Sequence, residues 1–169
     1  AVRDQPTLGL FDAVLSNAAL HWMQPQSAAL NFARRSLHTG GRFIAEMGGA
    51  GNVAIITDIF RQALDDHNLN HLVIEQNWFP TIGQQASALE VAGFEVSSMK
   101  LVDRPTPLPS GTTPADWCAH FRASTWGQIP PTLQEQVHAS INTSAAHLLL
   151  NGGGWWVDYR RLRFIAHAV

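Results

Sequence analysis

Apolar and polar positions alternate between two periods along this chain, and the switches between them mark its elements. Phe11–Leu15 is a short, mostly apolar run that reads as a strand buried on both faces, and it stops at Ser16-Asn17, two residues whose side chains favour turns. Pro25 opens a helix running to about Leu37, with Ala28, Ala29, Phe32, Ala33 and Leu37 as its apolar stripe and Gly40-Gly41 as its stop. Arg42–Met47 reads as the next strand, Gly48–Asn52 as a tight loop, and Val53–His67 as a helix with Val53, Ile56, Phe60, Ala63 and Leu64 on one face. Asn68–Asn77 is a less regular link. Thr81 and Gln84 have the spacing of a capping box, which starts a helix that ends at Ala92-Gly93. Phe94–Val102 is then a strand.

This βα alternation predicts an α/β fold with a mostly parallel sheet. The pattern changes after the stiff connector Arg104–Pro109. Thr113-Pro114-Ala115-Asp116 opens a helix, and Pro130-Pro131 starts a longer one reaching about Leu150. Gly152–Gly154 turns into a last strand, Trp155–Ala166, whose change of phase near Arg160-Arg161 predicts a bulge or a polar edge. The expected organisation is one partial domain: core elements over 1–103, a helical cap over 104–151 and a final strand over 152–169. Residues 1–10 read as a surface loop broken by Asp4, Pro6 and Gly9.

Composition narrows the partners. With 169 residues, 46% hydrophobic and 14% charged, the chain can bury a substantial core. A net charge of -2, with no basic cluster beyond Arg160, Arg161 and Arg163, argues against nucleic acid. The lone Cys118 forms no internal disulfide and suits a reducing, cytoplasmic compartment. No apolar run approaches the roughly 20 residues of a membrane span.

Ligands of open parallel sheets sit at the carboxyl ends of strands. Ser16, Asn17, His21 and Trp22 therefore stand where a small molecule would bind. Gly49–Ala54 fits G-x-G-x-x-A between a strand and a helix, the context of a dinucleotide site. Its supporting acidic residue falls on the wrong element, because Asp65 and Asp66 end the same helix. A tight turn is the favoured reading, with a nicotinamide-dependent oxidoreductase as the alternative. His67 and His71 are four residues apart but lack a third ligand, so no metal site is expected. There is no G-x-S-x-G, and Cys118 has no diagnostic neighbours.

Phe11–Trp22, Gly40–Glu46, Gly48-Gly49, Gly51-Asn52, Ala92–Val96 and Trp156–Tyr159 with Arg161-Leu162 together resemble the second half of a class I S-adenosylmethionine-dependent methyltransferase. The small-molecule enzymes similar to trans-aconitate methyltransferase are the nearest in pattern. The resemblance implies a Rossmann-like sheet of which this chain is the C-terminal half, with a helical cap inserted. It implies that Phe11–Leu15 and Arg42–Met47 are the family's fourth and fifth strands, and that one of the last two strands is antiparallel. The family's glycine-rich cofactor loop, after its first strand, has no counterpart upstream of Asp12. At roughly 30 residues per βαβ unit, about two units are absent.

The same resemblance implies S-adenosyl-L-methionine as cofactor, approached by Ser16, Asn17, Ala18 and Trp22. His21 is the candidate base for a hydroxyl or amine acceptor. Gly48, Gly49 and Asn52 are expected to face the same cleft. Arg122, Arg160 and Arg161 are candidates for pairing with a carboxylate on a small-molecule acceptor. The competing expectation is a truncated, non-catalytic domain. Its exposed edge along Phe11–Leu15 would invite pairing with another chain or self-association.

Overall fold

The structure, a computed structural model, describes residues 9–75 and 77–169. Residues 1–8 of the expected opening loop lie outside the described residues. The chain divides into two compact units, one of residues 1–52, 76–103 and 160–169, the other of 53–75 and 104–159.

The first unit is a four-stranded sheet. Its strands are β1 (Phe11–Asn17), β2 (Leu37–Gly48), β3 (Phe94–Asp103) and, from the end of the chain, β7 (Arg160–Ala168), in the order β1-β2-β7-β3. β1 runs parallel to β2, whereas β7 is antiparallel to both β2 and β3. The last strand of the chain is therefore inserted between two that precede it. Helices α1 (Gln26–Arg35) and α3 (Ile82–Val91) belong to this unit. Phe43, Ala45, Met47, Phe164 and Ala166 alternate along β2 and β7 and join Leu30, Ala33, Leu89 and Phe94 in one buried cluster. The rings of Phe43 and Phe164 meet edge to face at 5.2 Å, a geometry that suits the aromatic quadrupole.

Three local expectations change. β1 is not buried on both faces: among the described residues it pairs with β2 alone, and Leu15 is 76% exposed. Gly40-Gly41 does not end a helix, because α1 stops at Arg35 and both glycines lie inside β2. There Gly40 takes φ 79°, and a Cβ on Gly41 would stand 2.9 Å from the His38 carbonyl oxygen. The final strand is two strands. β6 (Gly154–Val157) pairs in small ladders with β4 (Thr106–Pro107) and β5 (Leu150–Asn151), and the chain breaks at Asp158-Tyr159 before β7 begins.

The second unit holds α2 (Ala54–Asp66), α4 (Pro114–Phe121), α5 (Ala123–Trp126) and α6 (Pro131–Ala145), with β4, β5 and β6. Ile56, Phe60, Leu64, Trp117, Val137 and Ile141 are among its buried residues. α6 ends at Ala145, before the expected Leu150. Its interior carries Ser140, Asn142, Thr143 and Ser144, whose side chains compete for backbone hydrogen bonds near a helix end.

Candidate functional site

The carboxyl end of β1 is where the polar groups gather. Ser16 is half-buried and Asn17 is exposed. Ala18 then turns the chain at φ 53°, a left-handed conformation rare without glycine, and its amide donates to the Glu46 carbonyl at 2.8 Å. This bond holds the end of β1 to β2 and leads into a single 3₁₀ turn, Leu20–Trp22.

His21 lies in that turn and is 5% exposed. Its Nδ1 accepts the Gly48 amide at 3.2 Å, and its own carbonyl accepts the Trp78 amide at 3.1 Å. The rings of Trp22 and Phe79 flank it at 5.4 and 5.6 Å. Burial first, and the Arg161 charge second, lower its pKa to about 4. The expected role as a base meets two physical obstacles here. Nδ1 is already used as an acceptor, and the cationic form is disfavoured where the ring sits. Trp22, by contrast, is 43% exposed at the same strand end.

Gly48, Gly49 and Asn52 are packed rather than open. A Cβ on Gly48 would come within 2.5 Å of the Phe79 ring, and one on Gly49 within 2.5 Å of Leu101 and 2.9 Å of Leu162. The Gly49 amide donates to the Arg160 carbonyl at 3.1 Å and the Ala50 amide to the Pro80 carbonyl at 2.8 Å. Asn52 is buried, and its Oδ1 accepts the Arg160 amide at 2.8 Å. The glycines are needed for close approach of protein to protein.

Of the candidate arginines, Arg160 pairs through Nε with Asp103 at 2.9 Å and reaches the Ala50 carbonyl at 3.4 Å. Arg161, half-buried on β7, acts electrostatically on His21. Arg122 belongs to the helical unit. Its Nη2 donates to Thr57 Oγ1 at 3.0 Å, and its guanidinium lies 5.7 Å over the Trp117 ring. Burial lowers its pKa. The Trp117 indole donates to the Tyr159 hydroxyl at 2.8 Å.

The dinucleotide alternative fails at the start of α2. That helix is preceded at its N-cap by Val53, left-handed at φ 52° and without a capping side-chain hydrogen bond. The carboxylate of Asp158 takes the position instead. It accepts the amide of Ile55 at 2.7 Å and that of Ile56 at 3.3 Å. Burial raises the Asp158 carboxyl, and these amides oppose the rise. The place where a pyrophosphate would bind is filled by the protein's own anion. Sequence reasoning missed this residue, because nothing at positions 53–56 points to a partner a hundred residues on. Phe79 was also missed, although an aromatic pair directly before Pro80-Thr81 was a visible signal.

No group of three or more candidate metal ligands occurs among the described residues. His67 instead meets Ser140 Oγ at 3.3 Å. Cys118 is buried, and its thiol is pushed up to about 12. No helix among the described residues is long and apolar enough to cross a membrane. A cavity of about 560 Å³ lies on the open face of the sheet. Ser16, Asn17, Leu15, Ile44, Glu46 and Arg163 are among its lining residues, whereas His21, Trp22 and Gly48 are not.

The fold is a Rossmann-like α/β architecture, similar to that of solved methyltransferase structures. Residues 6–45 match the family model described as a methyltransferase domain. An uncharacterized methyltransferase of Schizosaccharomyces pombe is 32% identical over 167 residues, covering 93% of this chain and 62% of the relative. The chain thus spans about three fifths of the length of that relative. Among solved structures, a loganic acid methyltransferase with S-adenosylhomocysteine matches with a TM-score of 0.62 at 8% identity, over 95% of this chain and 62% of its own. A candidate methyltransferase of Bacillus halodurans matches with a TM-score of 0.54 at 15% identity, over 93% of this chain and 69% of its own. The two structures speak for the fold, and the family model and the relative are what the chain is similar to over the residues given.

Proposed function

We propose that this chain is part of an S-adenosyl-L-methionine-dependent methyltransferase acting on a small-molecule acceptor, a carboxylate, in the cytoplasm. The observation that carries the reading is the end of β1, where Ser16 and Asn17 carry short polar side chains at the carboxyl edge of a sheet with this fold and left-handed Ala18 turns the chain away. These groups fit the methionine portion of the cofactor. When bound, the cofactor supplies a methyl group on a sulfonium, whose carbon–sulfur bond breaks as the acceptor oxygen takes the carbon. Holding the two reactants in line can supply about 7–11 kcal/mol of the acceleration, with little acid–base help. Trp22, exposed beside this edge, offers an apolar wall that excludes water. Arg161, half-buried on β7 in the same unit as the end of β1, is the cation proposed for the acceptor's carboxylate.

Titrating S-adenosylhomocysteine into the 169-residue chain by calorimetry tests this. The expected result is saturable binding, weakened about tenfold in Asn17→Ala, the equivalent of one hydrogen bond at ~1.4 kcal/mol. A folded chain that gives no binding heat overturns the reading that these residues make the cofactor site on their own.

A second reading has its own observation. Among the described residues β1 is hydrogen-bonded on one side only, and Phe11 and Leu15 are exposed along it. A non-catalytic domain would pair there with another copy or another chain. Sedimentation equilibrium showing a monomer at every concentration would remove the self-association part of that reading.

A further inference from the structure

His21 connects elements that are far apart in sequence, and it does so in one protonation state. A backbone amide has only a hydrogen to give, so Nδ1 of His21, 3.2 Å from the Gly48 nitrogen, is an acceptor. A neutral imidazole that accepts at Nδ1 carries its proton on Nε2. The His21 carbonyl holds the Trp78 amide as well, so a single residue ties the turn after β1 to the end of β2 and to the segment before Pro80. The fit allows little slack. Phe79 stands where a side chain on Gly48 would have to go, and its ring faces His21 at 5.6 Å. Arg161 on β7 adds a positive charge to the surroundings of the ring, which disfavours a second one there.

We propose that His21 is a positioning residue, a neutral pin that closes the ends of β1 and β2 onto the 78–80 segment, and that it is not the group that takes a proton from an acceptor. This rests on the methyl-transfer reading for its substrate half and on the hydrogen bonds alone for its structural half. To act as a base at Nδ1, His21 must give up the Gly48 bond, and at Nε2 the proton is already present. A hydroxyl or amine acceptor would release a proton that this residue cannot hold. A carboxylate releases none. Its oxygen bonds to the methyl carbon, the electron pair of the breaking carbon–sulfur bond stays with sulfur, and anion plus sulfonium become neutral ester plus neutral thioether.

Nitrogen-15 NMR of His21 in this chain, followed with pH, tests the structural half without any cofactor. The expected signature is an Nε2-protonated neutral ring that persists below pH 5. Titration near 6.5, the ordinary value for histidine, overturns the pin. The variants separate a pin from a base. Asparagine can place Oδ1 near the position of Nδ1, so His21→Asn keeps the protection of the Gly48 amide against hydrogen exchange, and His21→Gln loses it by at least tenfold. Equal protection in both variants overturns the assignment. In turnover with a carboxylate acceptor, His21→Asn should retain activity within about threefold, with no histidine limb in its pH profile. Loss of turnover in His21→Asn with Gly48 protection intact would make His21 a catalytic group. Failure of S-adenosylhomocysteine to bind, with the NMR signature present, would count against the methyl-transfer reading and leave the pin standing.

Discussion

Helices α3 and α2 begin in opposite ways. At α3 the cap is local. Thr81 Oγ1 accepts the Gln84 amide at 3.2 Å, and the Gln84 side chain returns to the Thr81 amide at 2.9 Å. Everything needed lies within four consecutive residues. At α2 the local residue, Val53, has no polar side chain and sits in a left-handed conformation. Its amides at Ile55 and Ile56 are satisfied by Asp158, 103 and 102 residues away. The orphan donors at a helix start have to be paired somewhere. A helix that carries its own cap can form early and alone, whereas one capped from a distance is complete only when the chain has closed. α2 belongs to the second kind, and the segment that completes it directly precedes β7.

The largest expected effect uses the other long-range closure, the His21 pin in the sheet unit. Its folded pKa is lowered to about 4, against 6.5 in the unfolded chain. Between those values the unfolded state binds the extra proton, so stability present above pH 6.5 is lost as pH falls toward 4. At 1.36 kcal/mol per unit the loss amounts to about 3 kcal/mol. Urea melts at pH 7.5 and pH 4.5 should show it, and His21→Asn should flatten that part of the profile. A wild-type curve parallel to that of the variant would mean the ring is not held neutral.

Next is the distant cap. Asp158→Ala leaves two helix-start amides without their carboxylate and should cost about 2 kcal/mol, within the range for hydrogen bonds to charged groups. Circular dichroism on urea unfolding would measure it, and hydrogen exchange should place the loss at Ile55, Ile56 and Thr57 rather than in the sheet. A cost below about 0.5 kcal/mol would make the cap incidental and remove the contrast with α3.

How much of this could be read in the sequence follows the same division. The capping boxes at Thr81 and Thr113, the strands expected over Phe94–Val102 and Arg42–Met47, and the helix expected over Val53–His67 are written in neighbouring residues, and each forms within a residue or two of its expected bounds except that β2 begins five residues early, at Leu37. The end of β1 was legible too, because Ser16-Asn17 after an apolar run is a local signal. What the sequence misled about depends on neighbours. Leu15 looks buried because it is apolar, yet β1 is an edge and its face is open. Gly40 and Gly41 look like a helix stop, but a strand also uses glycine where another backbone comes close. Gly48 and Gly49 look like a ligand loop, and only Phe79, Leu101 and Leu162 reveal them as packing glycines. Asp158 gives no local sign of its role at all.

The smallest effect sharpens the comparison from the local side. Thr81→Ala removes the acceptor for Gln84 but leaves Gln84 able to reach back to the backbone, so one of two bonds survives. The cost should be about 1 kcal/mol, the usual value of a threonine cap. Because the cap is local, the loss should stay local. Exchange at the first turn of α3 should quicken, while the amides of α2 keep the protection of the wild type. If Thr81→Ala also loosens α2, the two starts are coupled through the fold and the division between self-capped and distantly capped helices does not hold. If only the first turn of α3 responds, the sequence of four residues is sufficient for that helix start, and Asp158 remains the example of a start that the chain can supply only after it has folded.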